Sequence, residues 1–173
     1  MRYLIVCGGK IDKEFGLNEI KTDGIDAIIA ADSGMDFLYE NGVTPDIIVG
    51  DFDSTTTNAL EYFERKGQTE IRRLNPIKDD TDTEYAIRLA ISEGARSIVV
   101  LGATGSRIDH VLGNISLLGI GLESGTDISI IDTNNRIRMA DKPVTIEKSA
   151  QYGRFVSLIA LTDDNEVSLK GFK

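Results

Sequence analysis

Aspartates standing where loops are expected are the first residues in this 173-residue sequence with chemistry to offer. They are Asp32, the Asp51-Phe52-Asp53 pair, and Asp79 and Asp82 of the run Lys78-Asp79-Asp80-Thr81-Asp82. Gathering such carboxylates costs ~1 kcal/mol per pair near 4 Å even in water, and more when water is excluded. A divalent cation is the natural counter-charge, and oxygen-only ligands favour magnesium. Singly, each has an ordinary explanation, because Asp is common in turns and at helix starts, and Asp82 falls in a first helical turn. Recurrence after successive strands is what points the set towards function.

The elements that would position them alternate. Short β-rich runs at Tyr3–Cys7, Ala27–Ala31, Ile47–Val49, Glu70–Leu74 and Ser97–Leu101 each run into Gly, Asp or Asn. Helical spacing fits Met35–Glu40, Thr57–Lys66, Asp82–Glu93 and Arg107–Glu123. This is the pattern of an α/β unit with a parallel sheet wound by helices, in which ligands bind at the carboxyl ends of the strands. Thr81-x-x-Glu84 reads as a capping box opening the third of these helices, and Ser106-x-x-Asp109 offers a similar arrangement before the fourth. After Gly125 the pieces Ile128–Ile131, Ile137–Met139, Val144–Ile146, Phe155–Leu161 and Val167–Leu169 have no helical period. They predict a second, all-β unit, giving domains 1–125 and 126–173, with too few strands to close a sandwich, so that it is either incomplete at its C-terminal end or has an edge completed by a partner.

Composition narrows the function classes. The net charge of −9 argues against non-specific nucleic-acid binding, which needs clustered Lys and Arg. The single cysteine, Cys7, has no partner for a disulfide and no Cys/His companions for zinc, so it reads as a small buried apolar residue in a reducing compartment. No apolar run approaches membrane-spanning length, which makes a cytoplasmic location the simplest expectation.

Neither a Walker-type phosphate loop nor a dinucleotide fingerprint occurs. The turn Gly102-Ala103-Thr104-Gly105-Ser106-Arg107, entering a helix, could instead hold phosphate oxygens through exposed N–H groups and Arg107. His110 is the only histidine, open to a role as proton carrier or ligand but more often structural in such a setting.

Four motifs in succession carry a resemblance: Ala31-Asp32-Ser33-Gly34, Gly50-Asp51-Phe52-Asp53-Ser54, Lys78-Asp79-Asp80-Thr81-Asp82, and Gly102-Ala103-Thr104-Gly105-Ser106-Arg107-Ile108-Asp109-His110. In order and spacing the whole chain resembles thiamine pyrophosphokinases. The resemblance implies transfer of diphosphate from ATP to the hydroxyl of thiamine, giving thiamine diphosphate and AMP, on a homodimer whose sites lie between subunits. It assigns Asp51, Asp53, Asp79 and Asp82 to magnesium and ATP, with Asp32, Ser33 and Lys78 beside them. It also places Arg107 on phosphate, Asp109, His110 and Asn114 towards the substrate, and Gly102, Thr104 and Gly105 in a loop that lets backbone approach it closely. Relatives continue with more β-domain beyond Lys173, including residues that help hold thiamine, so weak thiamine binding is expected of a chain ending there.

Two rivals come from other classes. Asp51-Phe52-Asp53-Ser54-Thr55 fits the nucleophile loop of a haloacid-dehalogenase-like phosphatase, which would make Asp51 a covalent nucleophile. A non-catalytic nucleotide or thiamine sensor would bind without forming AMP. An EF-hand loop is excluded, since Thr56 and Tyr62 stand where Gly and Glu are required.

Overall fold

The computed structural model describes residues 1–52, 58–75, 80–105, 107–163 and 165–171. Seven strands form one sheet: β1 (Arg2–Val6), β2 (Ala27–Ala31), β3 (Ile47–Gly50), β4 (Glu70–Arg73), β5 (Ser97–Leu101), β6 (Asp127–Ile131) and β7 (Arg136–Arg138). Their order is β4-β3-β2-β1-β5-β6-β7. All neighbours are parallel except β7, which returns antiparallel to β6. The helices are α1 (Lys13–Ile20), α2 (Gly34–Glu40), α3 (Ala59–Lys66), α4 (Asp82–Ser92) and α5 (Ile108–Ser124).

Alternation along the strands feeds two cores. In β1, Tyr3 and Ile5, with Cys7 just beyond, join Ala86, Ile87, Leu89 and Leu118 of α4 and α5. Leu4 and Val6 face the other way, onto Met35 and Leu38 of α2 and Ala59 and Phe63 of α3, with Phe15 of α1 alongside. A strand buried on both faces has no polar side to offer, which is why β1, β2 and β5 read as continuous apolar runs. Phe63 is wholly buried, a placement stabilising by about 1.5–3 kcal/mol. Cys7 is buried, and that burial pushes its thiol up to about 11, so it is inert packing as expected.

The chain steps from β1 through β4 in one direction with α1, α2 and α3 on one face. It then crosses on the opposite face through α4 to β5, which lies on the far side of β1. The winding therefore reverses between β1 and β5.

Three helix starts differ in detail from expectation. Helix α1 was not read from the sequence, yet Asp12 caps it by accepting from the Phe15 amide at 2.9 Å. The residue before α5 is Arg107, with no side-chain capping bond, and Asp109 accepts from it; Ser106 of the expected Ser106-x-x-Asp109 box lies outside the described residues. At α4 the box is half made. The Thr81 hydroxyl accepts from the Glu84 amide at 3.2 Å, while the Glu84 carboxylate takes the Arg88 guanidinium.

The region after Gly125 also differs in detail. The pieces expected at Ile128–Ile131 and Ile137–Met139 extend the α/β sheet as β6 and β7. Those at Val144–Ile146, Phe155–Leu161 and Val167–Leu169 form no strand among the described residues, where the regular structure beyond β7 is one 3-10 turn at Lys148–Ala150. A strand exists only against a partner, and Phe155 and Ile159 stand 80% and 82% exposed. No helix among the described residues is long and apolar enough to cross a membrane.

Candidate active site

The carboxyl ends of β2 and β3 build the acidic part of the site. At the β2 exit Asp32 takes a left-handed backbone, φ 48°, and its amide donates to the Val49 carbonyl at 2.7 Å. Two residues on, Gly34 opens α2 so close to β1 that a Cβ there would fall 1.9 Å from the Val6 carbonyl oxygen. Helix α2 is thus pressed onto the end of β1, and Asp32 makes the sharp corner this requires. Asp51 follows Gly50, where a Cβ would lie 3.1 Å from the Asp32 Cα and 3.0 Å from the Phe52 ring. The two loops touch because that side chain is missing.

Phe52 is also left-handed, φ 63°, an outlier for a bulky residue. Its ring lies under the Arg73 guanidinium, 5.3 Å from the centroid, and its burial and this stacking hold the turn. Strained backbone at two positions around one cluster is characteristic of functional sites, at about 1–3 kcal/mol each. Asp82 arrives from the other face in the first turn of α4, set by the Thr81 cap.

Carboxylate oxygens of Asp32, Asp51 and Asp82 lie within 4.8 Å of one another, and all three residues are half-buried. Magnesium holds oxygens at 2.0–2.1 Å, so two opposite ligands stand about 4.2 Å apart. The oxygen-only donors and their mutual spacing suit a hard divalent cation. Three of the five expected carboxylates are therefore brought together. Asp53, Asp79 and Lys78 lie outside the described residues, as do Ser54 and Ser106.

The second part of the site is built of turns. Gly8 and Gly9 leave β1 between two neighbours: a Cβ on Gly8 would strike the Ser33 hydroxyl, and the Gly9 amide donates to the Gly102 carbonyl at 2.9 Å. Gly102 leaves β5 at φ 69°. The following turn is held from two sides. Asn114 of α5 donates through Nδ2 to the Ala103 carbonyl at 2.9 Å, and the Thr104 hydroxyl donates to Asp132 Oδ2 at 2.8 Å. Asn114 is thus a brace for the turn. Around these turns lies a cleft of about 600 Å³, lined on its far side by Asp132, Thr133 and Asn134 after β6.

Asp132 and the Gly8–Gly9 turn were not singled out as site residues by sequence. The available signal was Asp132-Thr133-Asn134-Asn135 at a strand exit, the chemistry of an Asx turn. Asp132 Oδ1 accepts from the Asn134 and Asn135 amides at 2.8 and 2.7 Å. Burial opposes its ionisation, but these amides, the Asn135 side chain and the Thr104 hydroxyl outweigh it and hold the carboxyl below the usual aspartate range. A lowered folded-state value gives stability that is complete above the unfolded value and is lost as pH falls through the folded one. Between about pH 5 and about pH 2 the unfolding midpoint should therefore drop more for the wild type than for Asp132→Asn, which has no proton to take up there. Equal slopes in thermal melts would remove this role.

The carboxylate triplet does not include the other expected residues. Arg107 and Asp109 pair with each other at 2.7 Å on the exposed lip of α5, 67% and 64% accessible. The guanidinium hydrogen bond holds the Asp109 carboxyl below its usual range. So exposed a pair adds little to folding, and Arg107 is placed to reach outward. His110 is exposed beside them, and Ser33 caps α2 without a side-chain capping bond.

A sequence profile described as thiamin pyrophosphokinase, catalytic domain, matches residues 21–130. The chain belongs to the thiamin pyrophosphokinase family. It is 35% identical over 147 residues to the thiamine pyrophosphokinase of Bacillus subtilis (strain 168), covering 84% of this chain and 68% of that protein. The crystal structure of thiamine pyrophosphokinase from Bacillus subtilis matches with TM-score 0.69 at 31% identity, over 80% of this chain and 63% of that one. Thiamin pyrophosphokinase from Geobacillus thermodenitrificans matches with TM-score 0.66 at 30% identity, over 79% and 61%. The chain spans under two thirds of the length of these solved family members. Membership in a kinase family is consistent with a divalent cation at the carboxylates, and the shared architecture is the α/β sheet described above.

Proposed function

We propose that this chain carries out magnesium-dependent transfer of diphosphate from ATP to the hydroxyl of thiamine, giving thiamine diphosphate and AMP. The observation that carries this reading is the convergence of Asp32, Asp51 and Asp82 at the strand ends of a thiamin pyrophosphokinase fold. Asp32, Asp51 and Asp82 would hold the ion, with Asp53 and Asp79 added by the family resemblance. When bound, magnesium supplies positive charge against the phosphate oxygens.

The thiamine hydroxyl oxygen forms a bond to the β-phosphorus while the bond from that phosphorus to the oxygen shared with the α-phosphate breaks, and AMP leaves with that oxygen. The hydroxyl proton passes to a base. Arg107, exposed at the start of α5, would neutralise charge on the transferring group. Gly102, Thr104, Gly105, Asp109, His110 and Asn114 would shape the thiamine side, Asn114 by bracing the turn through Ala103. The segment 126–173 would add further thiamine contacts and a homodimer surface, and the enzyme would work in the cytoplasm.

The test is to mix purified chain with ATP, magnesium and thiamine and to measure AMP and thiamine diphosphate, which should appear one to one. ADP or free phosphate without AMP would overturn the reading, phosphate with a trapped phosphoaspartate on Asp51 favouring a phosphatase. Binding of both substrates with no product would favour a sensor.

A further inference from the structure

Phe52 stands in the left-handed region, φ 63°, immediately after Asp51. A bulky side chain takes that conformation only where its surroundings impose it. Three contacts impose it here. Phe52 is buried and joins the core around Ala59 and Phe63 of α3. Its ring fills the space left by Gly50, where a Cβ would lie 3.0 Å from it. The third contact is the Arg73 guanidinium, 5.3 Å from the ring centroid.

Arg73 is the last residue of β4 and pairs in register with Gly50, the residue before Asp51. Just beyond it, the Leu74 amide donates to the Gly50 carbonyl at 2.9 Å. Glu64 of α3 accepts from Arg73 Nη2 at 2.5 Å, which holds the guanidinium where it covers the ring. A chain of contacts therefore runs from Glu64 through Arg73 to Phe52 and ends on the backbone of Asp51, a member of the carboxylate triplet.

Charge alone gives Arg73 no favourable part in metal binding. A guanidinium on the flank of an acidic cluster repels a second cation, so its charge weakens the hold of Asp32, Asp51 and Asp82 on a divalent ion. Its side chain is 59% exposed, and so open an ion pair with Glu64 adds little to folding. What remains is the stack, which acts on the residue next to Asp51. We infer that Arg73 is a positioning residue for magnesium: by pinning the Phe52 ring it holds the left-handed turn that aims the Asp51 carboxylate at Asp32 and Asp82. This rests on the diphosphate-transfer reading, in which Asp51 is a magnesium ligand.

The sign of one effect tests this. Arg73→Met keeps the length and apolar stem of the side chain and removes both the charge and the planar stack. Loss of charge alone would tighten magnesium binding, whereas loss of positioning weakens it. Titration with magnesium alone, followed through the unfolding midpoint, should show half-saturation raised about two- to fivefold, the worth of an exposed cation–π contact. In AMP formation the magnesium half-saturation should rise by the same factor, with kcat at saturating magnesium within twofold of wild type. Arg73→Lys, which keeps a cation over the ring without the guanidinium plane, should fall between wild type and Arg73→Met. In a Phe52→Leu background Arg73→Met should no longer weaken magnesium, since there is no ring to hold.

Magnesium half-saturation unchanged or lowered in Arg73→Met, or raised equally in the Phe52→Leu background, overturns the positioning role and leaves diphosphate transfer standing. So does a raised half-saturation for ATP at saturating magnesium, which would put Arg73 on the phosphates instead. A wild type that responds to magnesium but forms no AMP loses the transfer reading alone, and the melts still decide the role of Arg73. A wild type indifferent to magnesium overturns both.

Discussion

Asp51→Asn is expected to lower AMP formation by about a hundredfold or more. Asp51 is one of three carboxylates whose oxygens lie within 4.8 Å of one another. Removing a charged ligand weakens the hold on a cation whose charge acts on the transferring phosphates, where single interactions are worth roughly a hundred- to a thousandfold in rate. Magnesium should raise the wild-type midpoint, because it binds the folded state, and raise that of the variant much less. An unchanged rate of AMP formation in Asp51→Asn, or an equal magnesium-induced shift in both proteins, would remove Asp51 from the site.

Gly34→Ala should be the most damaging small change in the fold, lowering stability by about 3 kcal/mol. Its added Cβ would lie 1.9 Å from the Val6 oxygen and 2.6 Å from the Val6 carbon, both backbone atoms of a central strand that cannot turn aside. Either α2 moves away from β1 or the corner at Asp32 opens. Gly113→Ala is the control, since Gly113 lies within α5 and a Cβ there meets nothing within 4 Å. There Ala should stabilise by up to about 1 kcal/mol through helix propensity alone. Chemical denaturation of the two variants reads both signs, and equal effects would show that the contact at Val6 is relaxed at little cost.

Much of the sheet was legible because β1, β2, β3 and β5 are buried on both faces and stand out as apolar runs ending in Gly or Asp. Asp32, Asp51 and Asp82 were legible for the same reason: each follows such a run or its helix cap. Helix α1 was hidden by Gly16, which interrupts its apolar spacing. That glycine is needed because a Cβ would fall 2.6 Å from Ile11 and 2.7 Å from Phe37. Strand β6 was read correctly as a strand but placed in a second unit, since apolar period reports burial and not which sheet a strand joins. Asp132 escaped notice because its importance lies in Thr104, 28 residues away in sequence, and only pairing of β5 with β6 brings the two together.

The reversal between β1 and β5 also sets the order in which the site can come into being. Arg2 pairs with Ser97, so the first strand of the chain must wait for the fifth to complete its neighbourhood. The carboxylates on β2 and β3 belong to hairpin-free, sequentially wound structure that can assemble step by step, whereas the Gly9–Gly102 bond closes a loop of more than ninety residues. Contacts of such long sequence separation form slowly. A chain emerging from the ribosome would thus bring the Asp32 and Asp51 loops together first, and the turns at Gly8–Gly9 and Gly102 would meet only in a later closure.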